Sequence, residues 1–73
     1  MTFEAFHAEL DAIQVRIQEM SDHSLAMLAD GIESLKTADT MLANDVMDRK
    51  KSLSEMHEEI EERIMRLLTL YHP

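Results

Sequence analysis

Two long stripes of apolar residues run through this sequence, separated by a short polar break. In the second half, Leu53, Met56, Ile60, Ile64, Leu67 and Tyr71 recur three or four residues apart. That spacing draws one apolar stripe along a helix. Leu42 and Val46 begin the stripe, Met41, Ala43 and Met47 broaden it, and Arg49 takes the next seam position. Charged side chains fill most of the remaining positions, and Pro73 marks where the helix can no longer continue. In the first half, Phe3, Phe6, Leu10, Ile13, Ile17 and Met20 alternate steps of three and four, which is a heptad seam. After Met20 the seam shifts by one position, to Ser24 or Leu25, then Leu28, Ile32 and Leu35. A shift of that kind is a stutter, which locally unwinds a supercoil and suits a bundle better than a straight zipper.

The break itself is Lys36-Thr37-Ala38-Asp39. Lys36 suits a helix C-terminus, and Thr37 or Asp39 suits the N-cap of the next helix. Thr2 caps the first helix, with Glu4 in its first turn where the helix dipole favours an acid. The spacing predicts helices over about 3–36 and 39–71, each near ~50 Å at 1.5 Å rise per residue. A break this short forces the second helix back antiparallel to the first. No β-type alternation of useful length competes with this pattern. The expected fold is all-α: one domain over residues 1–73, an antiparallel hairpin of two long helices. Gly31 interrupts the first helix at a cost of roughly 1 kcal/mol relative to Ala, which fits close helix approach or mild strain.

Composition sharpens this picture by exclusion. Fifteen acidic residues against seven basic give a formal charge of −8. Such a chain repels phosphate backbones and has no basic stripe with interleaved aromatics, so nucleic acid is not expected as a partner. No apolar run approaches a membrane span, and acidic polar faces do not suit attachment to anionic lipid. No basic-then-apolar leader pattern opens the chain, so a cytoplasmic location is expected. The absence of cysteine removes disulfides and thiolate metal sites. Seventy-three residues without such staples bury only a marginal core. The methionines Met20, Met27, Met41, Met47, Met56 and Met65 read as adaptable core filling.

Because the first helix starts where the second finishes, Phe3, Phe6, Ile60, Ile64, Leu67, Leu68 and Leu70 gather at one end. That end is apolar on more than one side. It is expected to meet a third helix, or a second copy of the chain in a four-helix bundle. The expected interface residues are Phe3, Phe6, Leu53, Met56, Ile60, Ile64, Leu67 and Leu68, with a homodimer or higher helical oligomer as the simplest product.

From Asp39 onward the chain resembles the PhoU family, helical regulators of phosphate uptake. The matching residues are Asp39, Leu42-Ala43, Val46-Met47, Leu53, Met56, Glu59-Ile60-Glu61-Glu62 and the ending Leu67-Leu68-x-Leu70-x-x-Pro73. Leu10, Ile17, Met20 and Ile32 fall where that family's first helix is apolar. The resemblance implies regulation of phosphate or other ion transport, by helix packing with itself or with a transporter or sensor protein. It also implies a three-helix unit, of which this sequence resembles the first two helices. The family's metal-associated acidic pair aligns with Lys50 and Ser54, neither of which is a hard oxygen ligand for a transition metal.

Other carboxylates share helix faces by spacing alone. Asp45 with Asp48, and Glu58 with Glu62, are the weak metal candidates, but acidic helices produce such spacing on any solvated face. Glu4-x-x-His7 has the spacing of a carboxylate-bridged di-iron motif, which needs a second copy to complete it. Hence no cofactor is assigned, and a metal-binding bundle stands only as an alternative beside a purely structural dimerisation hairpin. His7, His23, His57 and His72 are scattered, no nucleophile–base grouping has a scaffold, and a hairpin offers no deep pocket. An enzyme is not expected.

Overall fold

The computed structural model describes residues 2–71, and the Pro73 stop and His72 lie outside them. Two helices account for the fold, α1 (Phe3–Thr37) and α2 (Thr40–Tyr71), packed as an antiparallel hairpin. No strand occurs among the described residues. The rod measures 52 × 16 × 15 Å, close to the length expected from helical rise.

The helix ends are set by their caps. The Thr2 side chain accepts a hydrogen bond from the Ala5 amide at 3.0 Å. At the other end Ala38 is left-handed (φ 54°, ψ 38°), and the Asp39 amide donates back to the Ser34 carbonyl at 3.0 Å. That six-to-one bond is the signature of a Schellman ending. Asp39 then serves the next helix. Its carboxylate accepts from the Leu42 amide at 3.0 Å and its carbonyl from the Ala43 amide, so Asp39 rather than Thr37 is the N-cap. One residue closes α1 and opens α2, which explains how so short a break reverses the chain.

The seam between the helices keeps heptad spacing on α1 and slips on α2, where Met56, Ile60 and Ile64 follow one another four apart. On α1 it runs Phe6, Leu10, Ile13, Met20, Ser24, Met27, Gly31 and Ser34; on α2 it runs Val46, Arg49, Leu53, Met56, Ile60, Ile64, Leu67 and Tyr71. Ile13, Ile60 and Leu67 form the buried core, and no side chain among the described residues is completely buried. At the open end the Phe6 and Tyr71 rings meet at 4.4 Å, and the Tyr71 hydroxyl donates to the Thr2 carbonyl at 3.0 Å.

Two expectations are corrected here. The α1 seam does not move to Leu25, Leu28, Ile32 and Leu35, which are all exposed. It continues through the small residues Ser24, Gly31 and Ser34, which let the loop half of the hairpin close without large side chains. The buried Ser34 hydroxyl is satisfied by the Gly31 carbonyl at 2.7 Å. The methionines also divide: Met20, Met27 and Met56 lie half-buried in the seam, whereas Met41, Met47 and Met65 are exposed rather than core.

A Cβ built on Gly31 would meet Val46 Cγ1 at 3.8 Å, an ordinary contact. Nothing in the packing requires glycine there, while the one non-glycine residue at positive φ among the described residues is Ala38. Gly31→Ala and Ala38→Gly should therefore each stabilise the fold, by roughly 1 kcal/mol, through helix propensity and relief of left-handed strain respectively. Urea unfolding at fixed chain concentration checks both, and a lower midpoint for Gly31→Ala would mean the close-approach reading is right.

Candidate functional site

The two long sides of the hairpin differ in chemistry. One is laced by ion pairs across the seam. Arg63 Nε donates to Glu9 Oε1 at 2.9 Å, Arg16 Nη2 to Glu59 Oε2 at 3.3 Å, and Arg49 Nη2 to Asp30 Oδ2 at 2.8 Å. Arg16 also holds Glu19, and Arg49 Nε lies 3.1 Å from Asp45. Glu9, Arg16 and Asp30 sit at multiples of seven on α1, and Arg49 and Arg63 do so on α2. The charges alternate along each row and match only in this antiparallel register. Each pair is partly exposed and individually weak. Their joint effect is to fix register and dress this side for water.

The opposite side is apolar and open. Near the chain ends Leu10, Ile17, Ile64, Leu68 and Tyr71 line a groove of about 410 Å³. Toward the middle it continues past Met20, His57, Glu61 and Met65, and then into a cleft with Ser21, Leu25, Lys50 and Ser54. By helical spacing Leu28, Ile32 and Leu35 extend the same row beyond Leu25. They are 57%, 56% and 84% exposed, so this row projects as a ridge with nothing against it.

The expected interface residues separate between the seam and this face. Ile60 and Leu67 are buried within the hairpin, and Leu53 and Met56 are half-buried beside them, so these four hold the chain's own two helices together. Phe6 and Ile64 bridge the seam and the groove. Leu68 and Phe3 remain exposed at 53% and 76%. Sequence reasoning missed Ile17, Leu25, Leu28, Ile32 and Leu35 as the open row, because it placed them in the seam. It also missed the cross-seam ion pairs, whose seven-residue charge spacing was the available signal.

The metal candidates do not converge. Asp45 is engaged by Arg49, and Asp48 lies on an exposed face. Glu58 and Glu62 line a shallow surface cleft with Glu61, Met65 and Arg66. His7 packs its ring edge-on to Phe3 and Phe6, at 4.3 and 5.4 Å, instead of meeting a second acid. Among the described residues no group of three or more His, Asp or Glu side chains is placed to hold a metal. The cleft with Lys50 and Ser54 offers an ammonium, hydroxyls, His57 and Glu58, a donor set that does not fit the family metal.

An antiparallel helical pair with one face sealed by charge and one left apolar defines a helix-packing interaction module. The family model for the PhoU domain matches residues 17–73, and the chain belongs to that family. Neither a curated protein nor a solved structure matches the chain. PhoU domains are regulatory, non-enzymatic protein-interaction modules of phosphate transport. No helix among the described residues is long and apolar enough to cross a membrane.

The Arg63 guanidinium, by its hydrogen bond above all, holds the Glu9 carboxyl below the usual carboxylate range. A carboxyl whose pKa is lowered by folding stabilises the fold above its unfolded pKa, and the stabilisation is lost as pH falls through the lowered folded value. The stability gap between the parent and Glu9→Gln should therefore be open at pH 7 and close as pH falls through the lowered folded pKa. A gap that persists unchanged in acid would show that the Glu9–Arg63 bridge contributes nothing through charge.

Proposed function

We propose that this chain is a regulatory domain in the control of phosphate transport, working in the cytoplasm by packing its apolar face against a helix of another protein surface. The carrying observation is the open row of Ile17, Leu25, Leu28, Ile32 and Leu35 beside Leu68, opposite a side closed by ion pairs. Helix-in-groove recognition uses anchors at three- and four-residue steps, and this face offers them along its length. Family membership supplies the biological setting, with a transporter or its sensor as the protein controlled. The acidic rim formed by Glu58, Glu61 and Glu62 disfavours acidic partners and lipid surfaces.

The reading assigns work to exposed residues that the hairpin fold does not need. In cells lacking the gene, the parent should restore repression of phosphate uptake under phosphate-replete conditions. Ile17→Asp and Leu68→Asp should leave uptake derepressed, because a charge placed in the covered face costs several kcal/mol on association. Full repression by both variants, at parental protein levels, would contradict the proposal.

A further inference from the structure

We infer that this face holds a binding site for an amphiphilic carboxylate of the medium-chain fatty acid class, with its head group at Lys50 and its hydrocarbon tail laid toward the chain ends. A bound amphiphile and a docked helix exclude one another over this stretch, but the inference stands without the docking reading.

Shape is the first argument. Three clefts run end to end along the face and share walls. The largest, about 810 Å³, takes its hydrocarbon lining from Met20, Leu25, Met27 and Leu53. Met20 and His57 also line the next cleft, and Ile17 and Ile64 carry that one into the groove near the chain ends. Each has the volume of an ordinary ligand pocket. From the level of Lys50 to that of Ile64 the path follows α2 for about 21 Å at helical rise. A trough of that length, apolar along its floor and basic at one end, fits a straight hydrocarbon chain with a single anionic head.

Charge is the second. Arg49 is engaged by Asp30 and Asp45 on the other flank, whereas Lys50 has no carboxylate within ion-pair distance among the described residues. Ser21, Ser24 and Ser54 share its cleft. The hydroxyls of Ser34, Thr37 and Thr69 are spent on carbonyls of the preceding turn. Those three cleft serines make no such bond among the described residues, so their hydroxyls can donate to a ligand oxygen. One ammonium with neutral donors balances a single negative charge; a dianion set against this hydrocarbon would be left undercompensated. The acids fix the direction. Glu58 lies two turns beyond Lys50, about 12 Å along α2, and Glu61 borders the trough further on. They repel an anionic head from that end, so the head belongs at Lys50 and the tail runs past them.

The methionines are built-in reporters. Met20 and Met27 line the head-group cleft, Met65 lines the trough beside it, and Met41 and Met47 line none of the three clefts. Titrating the full chain, carrying carbon-13 methionine methyls, with decanoate, decanol and decylammonium below their micellar concentrations tests the site. Decanoate should shift the Met20, Met27 and Met65 signals saturably, leave Met41 and Met47 in place, and bind about tenfold tighter than decanol. Decylammonium is the discriminating probe. General attraction to a chain of net charge −8 favours it over decanoate, whereas the Lys50 site predicts the reverse order. Lys50 is exposed and outside the seam, so Lys50→Gln should keep parental helix content and erase the preference for decanoate over decanol. Four results would each overturn the site: no saturable shift with decanoate, shifts spread evenly over all the methyls, decanol or decylammonium binding as well as decanoate, or an undiminished preference in Lys50→Gln.

Discussion

A pair of helices can bury only one edge of each against the other, and every feature of this protein follows from that limit. The seam uses one row of side chains per helix, and among the described residues Ile13, Ile60 and Leu67 are the only buried hydrophobic side chains. A core of that size is marginal for a chain with no disulfide or metal to reinforce it. The rows flanking the seam therefore decide how the molecule behaves in water. One flank is finished with ion pairs between Glu9, Arg16, Asp30, Arg49, Glu59 and Arg63. The other is left as hydrocarbon.

The asymmetry gives the two flanks different work. Bridges such as Arg16–Glu59 are too exposed to contribute much energy singly, yet they match in sign only when Glu9 stands opposite Arg63 and Asp30 opposite Arg49. Sliding one helix by a turn would oppose like charges, so the register that builds the apolar flank is held from the opposite side. Asp39 sets the same register from the loop, because it caps both helices at once. The apolar flank is thus presented by a scaffold whose alignment is set from the opposite side and from the loop.

Much of the fold was legible in the sequence because helix period, caps and break length are local signals. The spacing of Leu53, Met56, Ile60, Ile64 and Leu67, and the tight break at Ala38-Asp39, fix an antiparallel hairpin without any tertiary information. The face was less legible. Apolar periodicity at Leu25, Leu28, Ile32 and Leu35 marks a row that wants covering but does not say by what. The sequence reading assigned that row to the intrachain seam. The structure gives the seam to Ser24, Gly31 and Ser34, which hydropathy passes over because they are small or polar rather than greasy. Ile60 misled in the opposite sense: it looks like an interface anchor and is consumed by the hairpin itself.

Whatever covers Leu25, Leu28 and Ile32, this flank is the docking face of the proposal, and charging it should spoil regulation without spoiling the hairpin. Helix circular dichroism and phosphate uptake, measured side by side for Leu28→Asp, address this most directly. The variant should keep the parent's helix content and lose repression of uptake. Parental repression by a variant of parental helix content and protein level would contradict it.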